Sequence, residues 1–140
     1  MKLMIDTNVL LDVLLNRTPF ADASAQVLKL CESNQCDGYL TASSITDIFY
    51  LCHRATHDKN AAYDAIGHVL NIAKICDVTA HDVLKAYHQK APDFEDCLLA
   101  TCAAANQCQY IITRNIRDYR SFEVPAITPD DFLNQYQDES

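Results

Sequence analysis

Four aspartates stand at the joints of the chain. Asp6 ends the first apolar run, Asp47 and Asp96 fall where helical patterns open, and Asp118 follows the apolar run Tyr110 to Thr113. Carboxylates placed in this way can converge on a divalent cation. Mg²⁺ and Mn²⁺ are hard ions that take oxygen ligands, whereas carboxylates gathered without a positive charge repel one another. Metal-assisted chemistry on phosphate is the reaction class these residues favour. Each acid also has a plainer role open to it. Asp47 lies three residues after Ser44 and Asp96 three after Asp93, the spacing of a capping box at a helix N-terminus. Asp118 suits a turn, while Asp12 and Asp93 suit an exposed helical position and a cap. Asp6 is harder to explain so simply, because Leu3, Met4 and Ile5 lead straight into it and a lone carboxylate there needs partners.

Other chemistries are poorly served. The seven cysteines include no Cys-x-x-Cys pair, and five residues along a helix is roughly 140° around its axis, so Cys97 and Cys102 do not share a face. They read as small buried hydrophobes with free thiols. His53 and His57 are one turn apart, but the residues between them lack the glutamate of a zinc-protease helix. The only glycines are Gly38 and Gly67, which excludes glycine-rich nucleotide-binding turns. A haloacid-dehalogenase-like phosphatase needs a second aspartate where Asn8 stands, and a receiver domain needs a late lysine, whereas no lysine follows Lys90.

These acids must be positioned by the elements around them. The chain has 140 residues, 49% of them hydrophobic, and carries no repeat, long polar linker or bilayer-length apolar stretch, so residues 1–140 read as one domain. Lys2 and the run after it superficially imitate a signal peptide, but Asp6, Asn8, Asp12 and Arg17 interrupt it. Residues 1–25 therefore belong to the mature fold, and the odd cysteine count suits a reducing cytoplasm. Strands are expected at Lys2 to Ile5, Gly38 to Thr41, Ile75 to Val78, Tyr110 to Thr113 and Val124 to Ile127. Helices are expected from Asn8 to Leu15, from Thr18-Pro19 to Cys36, from Ser43 or Ser44 to Arg54, and from an Asp58 cap to Ala73. Thr79 with Asp82 makes a capping box for residues 80–90, Asp93 caps a helix to Asn106, and Thr128-Pro129 opens a terminal helix.

Strands alternating with helices predict an α/β three-layer sandwich with a mostly parallel central sheet. Ligands of such sheets bind at the carboxyl ends of the strands. Asp6 and Asp118 follow strands, and Asp47 and Asp96 are expected in the first turns of helices that begin at the same edge, where the helix dipole favours negative charge.

The segment Ile5-Asp6-Thr7-Asn8-Val9-Leu10-Leu11-Asp12 resembles the opening of a PIN domain, the nuclease fold of the VapC-type toxins. Thr41 to Asp47 resembles the stretch bearing the family's second acid. Asp96-Cys97-Leu98-Leu99-Ala100 resembles the helix of the third, and Thr113-Arg114-Asn115 with Asp118-Tyr119 resembles the fourth-acid segment. The resemblance implies a PIN-like sheet flanked by helices and a catalytic, metal-binding set of Asp6, Asp47, Asp96 and Asp118. It also implies support from Thr7, Asn8, Thr113 and Asn115, and a further acid, Asp93, at or behind the metal. The family often has glutamate at the second position, where this chain has the shorter Asp47.

By the same resemblance the chain is a ribonuclease hydrolysing phosphodiester bonds with one or two Mg²⁺ or Mn²⁺ ions. Its substrate is RNA, mostly single-stranded, and an antitoxin protein and a second copy of itself are the implied partners. Arg114, Arg117 and Arg120 flank Asp118 and can hold phosphates beside the metal, or simply form a solvated loop. The net charge of −8 argues against a tight grip on a duplex. The rival to an enzyme is a non-catalytic PIN-like protein- or RNA-binding module, against which the presence of all four acids argues. Ile45, Ile48, Phe49 and Cys52 give one helix an apolar face, read as core.

Overall fold

The structure, a computed structural model, describes residues 1–139. Five strands run β1 Lys2–Ile5, β2 Asp37–Thr41, β3 Lys74–Cys76, β4 Tyr110–Ile112 and β5 Ala126–Ile127. They form one sheet in the order β3-β2-β1-β4-β5, and every pairing is parallel. The helices are α1 Thr7–Leu14, α2 Ala21–Glu32, α3 Ala42–Thr56, α4 Lys59–Ile72, α5 Ala80–Gln89, α6 Phe94–Ala105 and α7 Pro129–Glu139, with a 3-10 turn at Ile116–Tyr119.

The β1 sequence explains its central place. Leu3, Met4 and Ile5 are all fully buried, an uninterrupted apolar run that suits a parallel strand covered on both faces. Successive side chains point to opposite faces. Leu3, Ile5, Leu40 and Ile112 join a core with residues of α1, α2, α3, α4 and α7, while Met4 and Ile111 join a second core with residues of α6 and Tyr119. The expected three-layer sandwich is therefore present, with α5 packed on α6. Ile48 and Cys52 are buried and Ile45 and Phe49 pack against the first core, so that face of α3 is core as expected. All seven cysteines are buried free thiols. Among the described residues no helix is long and apolar enough to cross a membrane.

Several boundaries differ from the sequence expectation. Helix α2 begins at Ala21 rather than at Pro19, and Phe20, not Thr18, precedes it with no side-chain cap. It also stops at Glu32 instead of Cys36, because the chain turns through Asn34 in the left-handed region and leads directly into β2. The third strand is Lys74–Cys76, one residue earlier at its start and two shorter at its end than Ile75 to Val78. Helix α3 begins after the extended Thr41, which puts Asp47 in its second turn and removes the capping-box role that its spacing from Ser44 allowed. The expected caps at Asp58 and Asp93 and the box of Thr79 with Asp82 are formed.

Candidate active site

The site is assembled where β1 and β4 end. Asp6 is the extended residue between β1 and α1, and its N–H continues the sheet by donating to the Ile112 carbonyl at 3.0 Å. This fixes the backbone, and the side chain is then held from several directions. Thr113 Oγ1 donates to Asp6 Oδ2 at 2.8 Å, the Tyr119 hydroxyl reaches the same oxygen at 3.0 Å, and Asn8 Nδ2 approaches it at 3.5 Å. Burial raises the Asp6 carboxyl above its ordinary range, against the lowering pull of Thr113, Tyr119 and the Thr7 and Asn8 backbone N–H groups.

Asp96 comes to this point from the first turn of α6. Its N–H is capped by Asp93 Oδ1 at 2.9 Å, but its own carboxylate does not close a capping box. Asp96 Oδ1 instead lies 3.1 Å from the Tyr119 hydroxyl, so one phenol bridges the first and third acids. Burial first, and then the charges of Asp93, Asp6 and Asp118, push the Asp96 carboxyl up to about 6, with the Tyr119 hydrogen bond holding it back. Asp118 sits exposed on the 3-10 turn, and its charge bears on Asp96 from there. Asp93 thus serves as a cap and at the same time crowds Asp96 electrostatically.

Asp47 joins the group differently. It is exposed on α3 and lines a cavity with Ser43, Phe94, Glu95 and Leu98. Burial and then the charges of Asp47, Asp93 and Asp6 raise the Glu95 carboxyl. Glu95 therefore links Asp47 to the other acids, and neither it nor Tyr119 was assigned a site role from the sequence. A glutamate in the first turn of a helix resembles an ordinary dipole partner. The hint at Tyr119 was its place beside Asp118, but a buried bridging hydroxyl is visible only once β1, α6 and the 3-10 turn meet.

The supporting residues divide. Thr113 is fully buried and, besides serving Asp6, accepts the Asn115 N–H at 3.0 Å, which shapes the turn toward Asp118. Thr7 opens α1 directly after Asp6. Arg117 is exposed on the 3-10 turn. Arg114 is engaged elsewhere: its Nε lies 2.8 Å from Oδ2 of the fully buried Asp12, and its guanidinium stacks 4.1 Å from the Phe20 ring. The Nε–H is not aimed along that contact, so the two form an ion pair without a hydrogen bond.

Among the described residues no three His, Cys, Asp or Glu side chains are drawn together closely enough to enclose an ion. The donor chemistry nonetheless fits a hard divalent cation. The converging groups are oxygen donors, no Lys or Arg among the described residues pairs with Asp6, Asp47, Glu95, Asp96 or Asp118, and Asn8 Oδ1 beside Asp6 is buried with no hydrogen-bond partner. Such a group of carboxylates is incomplete without positive charge.

Residues 2–117 match the profile described as PIN domain. Ribonuclease VapC1 of Aquifex aeolicus (strain VF5) is 25% identical over 140 residues, covering 96% of this chain and 95% of that one. VapBC2 from Rickettsia felis, solved bound to a DNA fragment from its promoter, shares the fold with a TM-score of 0.69 at 19% identity, over 91% of this chain and 98% of its own. VapC20 from Mycobacterium tuberculosis, a sarcin-ricin loop cleaving toxin, gives a TM-score of 0.67 at 13% identity, over 86% of this chain and 96% of its own.

Proposed function

The chain belongs to the PIN domain family, and from that premise we propose that it is a Mg²⁺- or Mn²⁺-dependent endoribonuclease that hydrolyses phosphodiester bonds in mostly single-stranded RNA. The observation that carries this reading is the bridge from Asp6 through the Tyr119 hydroxyl to Asp96, with the charges of Asp93 and Asp118 bearing on the same point and, among the described residues, no Lys or Arg ion-paired with any of these four. Similarity to Ribonuclease VapC1 supports RNA as substrate.

Asp6, Asp96 and Asp118 are the residues that would hold the ion or ions, with Asp47 and Glu95 reaching in from the neighbouring cavity. When bound there, one or two such ions supply a water of lowered pKa and offset charge on the scissile phosphate and the leaving oxygen. The chain itself does the positioning. Thr113 and Tyr119 fix the Asp6 carboxylate, the Asp93 cap fixes the start of α6, and the Asn115 turn presents Asp118. Arg117, exposed beside Asp118, is the cation placed to meet substrate phosphate. RNA contact is expected to be weak without metal, since the net charge of −8 opposes it.

An antitoxin that places a basic side chain among these carboxylates is the proposed protein partner, by chemistry complementary to the pocket. A homodimer is the assembly that the family resemblance implies, and seven buried free thiols suit a reducing cytoplasm. The second reading, a non-catalytic PIN-like binding module, is favoured by one observation, the lack of a closed three-ligand group among the described residues.

A thermal melt of the wild type and Asp6→Asn in EDTA and in millimolar Mn²⁺, alongside cleavage of a fluorogenic single-stranded RNA and its DNA counterpart, separates the two. Mn²⁺ stabilisation and RNA cleavage that both vanish in Asp6→Asn are expected. An absence of metal response and cleavage in the wild type would overturn the enzymatic reading and favour the binding module instead.

A further inference from the structure

We infer that Tyr119 is a positioning residue whose hydroxyl sets the arrangement in which Asp6 and Asp96 receive a divalent cation. The inference rests on the metal-dependent reading above and adds to it a residue outside the set of acids.

The geometry gives the hydroxyl a place that packing alone does not require. The Tyr119 ring is held in the core against Phe122, with ring centroids 6.1 Å apart, and the residue is 2% exposed. A ring packed in this way would be served equally well by phenylalanine. The oxygen instead stands 3.0 Å from Asp6 Oδ2 and 3.1 Å from Asp96 Oδ1, joining segments 113 and 23 residues away in sequence. A phenol carries one proton, so it cannot donate fully to both carboxylates. It acts as a shared spacer between two groups that would otherwise face each other directly.

The choice of oxygens matters as much as the distances. Tyr119 and Thr113 both occupy Oδ2 of Asp6, and Tyr119 occupies Oδ1 of Asp96. Among the described residues no side chain donates to Asp6 Oδ1 or Asp96 Oδ2. Side-chain hydroxyls thus engage one oxygen of each carboxylate and not the other, the asymmetry expected where a supporting hydrogen bond orients a metal-binding group, while the Thr7 and Asn8 N–H groups add backbone support at Asp6. Burial also keeps Tyr119 from touching a nucleic acid, so its effect must pass through the acids.

Tyr119→Phe retains the ring and removes only the oxygen. Mn²⁺ binding is read directly, by electron paramagnetic resonance of the free ion, for wild type, Tyr119→Phe and Phe122→Leu, with cooperative melting in EDTA checked for each. The Mn²⁺ dissociation constant is expected to rise by about tenfold or more in Tyr119→Phe. Phe122→Leu, which disturbs the packing of the ring but not the hydroxyl, should bind Mn²⁺ as the wild type does. At saturating Mn²⁺ the KM for RNA in Tyr119→Phe should move less than about twofold, because the residue does not meet substrate. Wild-type or tighter Mn²⁺ affinity in Tyr119→Phe overturns the inference, as does an equal loss in Phe122→Leu, which would reveal a packing role. If the wild type itself binds no Mn²⁺, the metal-dependent reading fails and this inference fails with it. That outcome is distinct from a wild type that binds and a phenylalanine variant that binds equally well.

Discussion

Thr113 Oγ1 donates to Asp6 Oδ2 at 2.8 Å and so ties the ends of β4 and β1 together across 107 residues of sequence. The threonine is fully buried, and its hydroxyl also accepts the Asn115 N–H at 3.0 Å, so one oxygen orders both the anchor acid and the turn toward Asp118. Thr113→Val keeps the shape and deletes both hydrogen bonds. Since one of them serves a buried carboxylate, a loss of about 2 kcal/mol in urea unfolding is expected, with most of it restored in Thr113→Ser. A valine variant as stable as the wild type would mean that Asp6 is held adequately without β4.

The Asp96 carboxyl stands at about 6 in the folded, metal-free protein, against an ordinary 3.8, chiefly through burial and then the charge of Asp93. Between those values the native state binds more proton than the unfolded chain, so stability falls as pH rises through this window and levels off above it. In EDTA, wild type should therefore melt higher at pH 5 than at pH 7.5 by more than Asp96→Asn does. Near pH 7.5 the substitution should raise the melting temperature by relieving repulsion. With Mn²⁺ the wild-type trend should reverse, because protons compete with the ion for the carboxylate. Melts across pH 4.5 to 8 for both proteins, with and without Mn²⁺, provide the comparison. Parallel EDTA profiles would show that Asp96 does not carry the dependence.

Arg114 and Asp12 make a second electrostatic feature, away from the bridging tyrosine. Asp12 is fully buried and its carboxylate lies against Arg114, itself stacked on Phe20. Removing only the arginine leaves a buried charge without its partner, so Arg114→Met should cost about 3 kcal/mol in chemical denaturation. Asp12→Leu combined with Arg114→Met should recover much of that loss, since replacing both partners removes the uncompensated charge. If Arg114 acts only on substrate phosphate, Arg114→Met would leave stability near wild type.

The elements were legible because their signals are local. The buried run at Leu3 to Ile5, the Asp58 and Asp93 caps and the Thr79–Asp82 box each lie within a few residues, and each formed as read. Asp47 was misplaced within its helix because Ser43, Ser44 and Thr41 all suit a helix start, and only the end of β2 decides that α3 begins at Ala42. The approach of the acids to one edge of the sheet was expected from the strand and helix order, but the groups that lie between them were not. Glu95 and Tyr119 gain their roles from neighbours supplied by distant segments, for which no sequence spacing stands in. For Arg114 the sequence left a phosphate contact and a solvated loop both open, because its partner Asp12, though nearby in the fold, is about a hundred residues away in sequence.

Asp47 and Glu95 line one cavity, and the Asp47 charge is among those that raise the Glu95 carboxyl, so two carboxylates face the same space from α3 and α6. Both are exposed, and solvent screening keeps their mutual repulsion small. Their shared geometry matters more, because either can offer an oxygen where the family often places a single, longer glutamate. Asp47→Asn and Glu95→Gln should therefore each weaken Mn²⁺ stabilisation modestly, while the double variant loses more than the two effects combined. A coupling of at least about 1 kcal/mol, or roughly fivefold in Mn²⁺ affinity, is expected from the double-mutant cycle. Strict additivity would separate the two carboxylates, and a full loss in Asp47→Asn alone would make Asp47 the sole second acid.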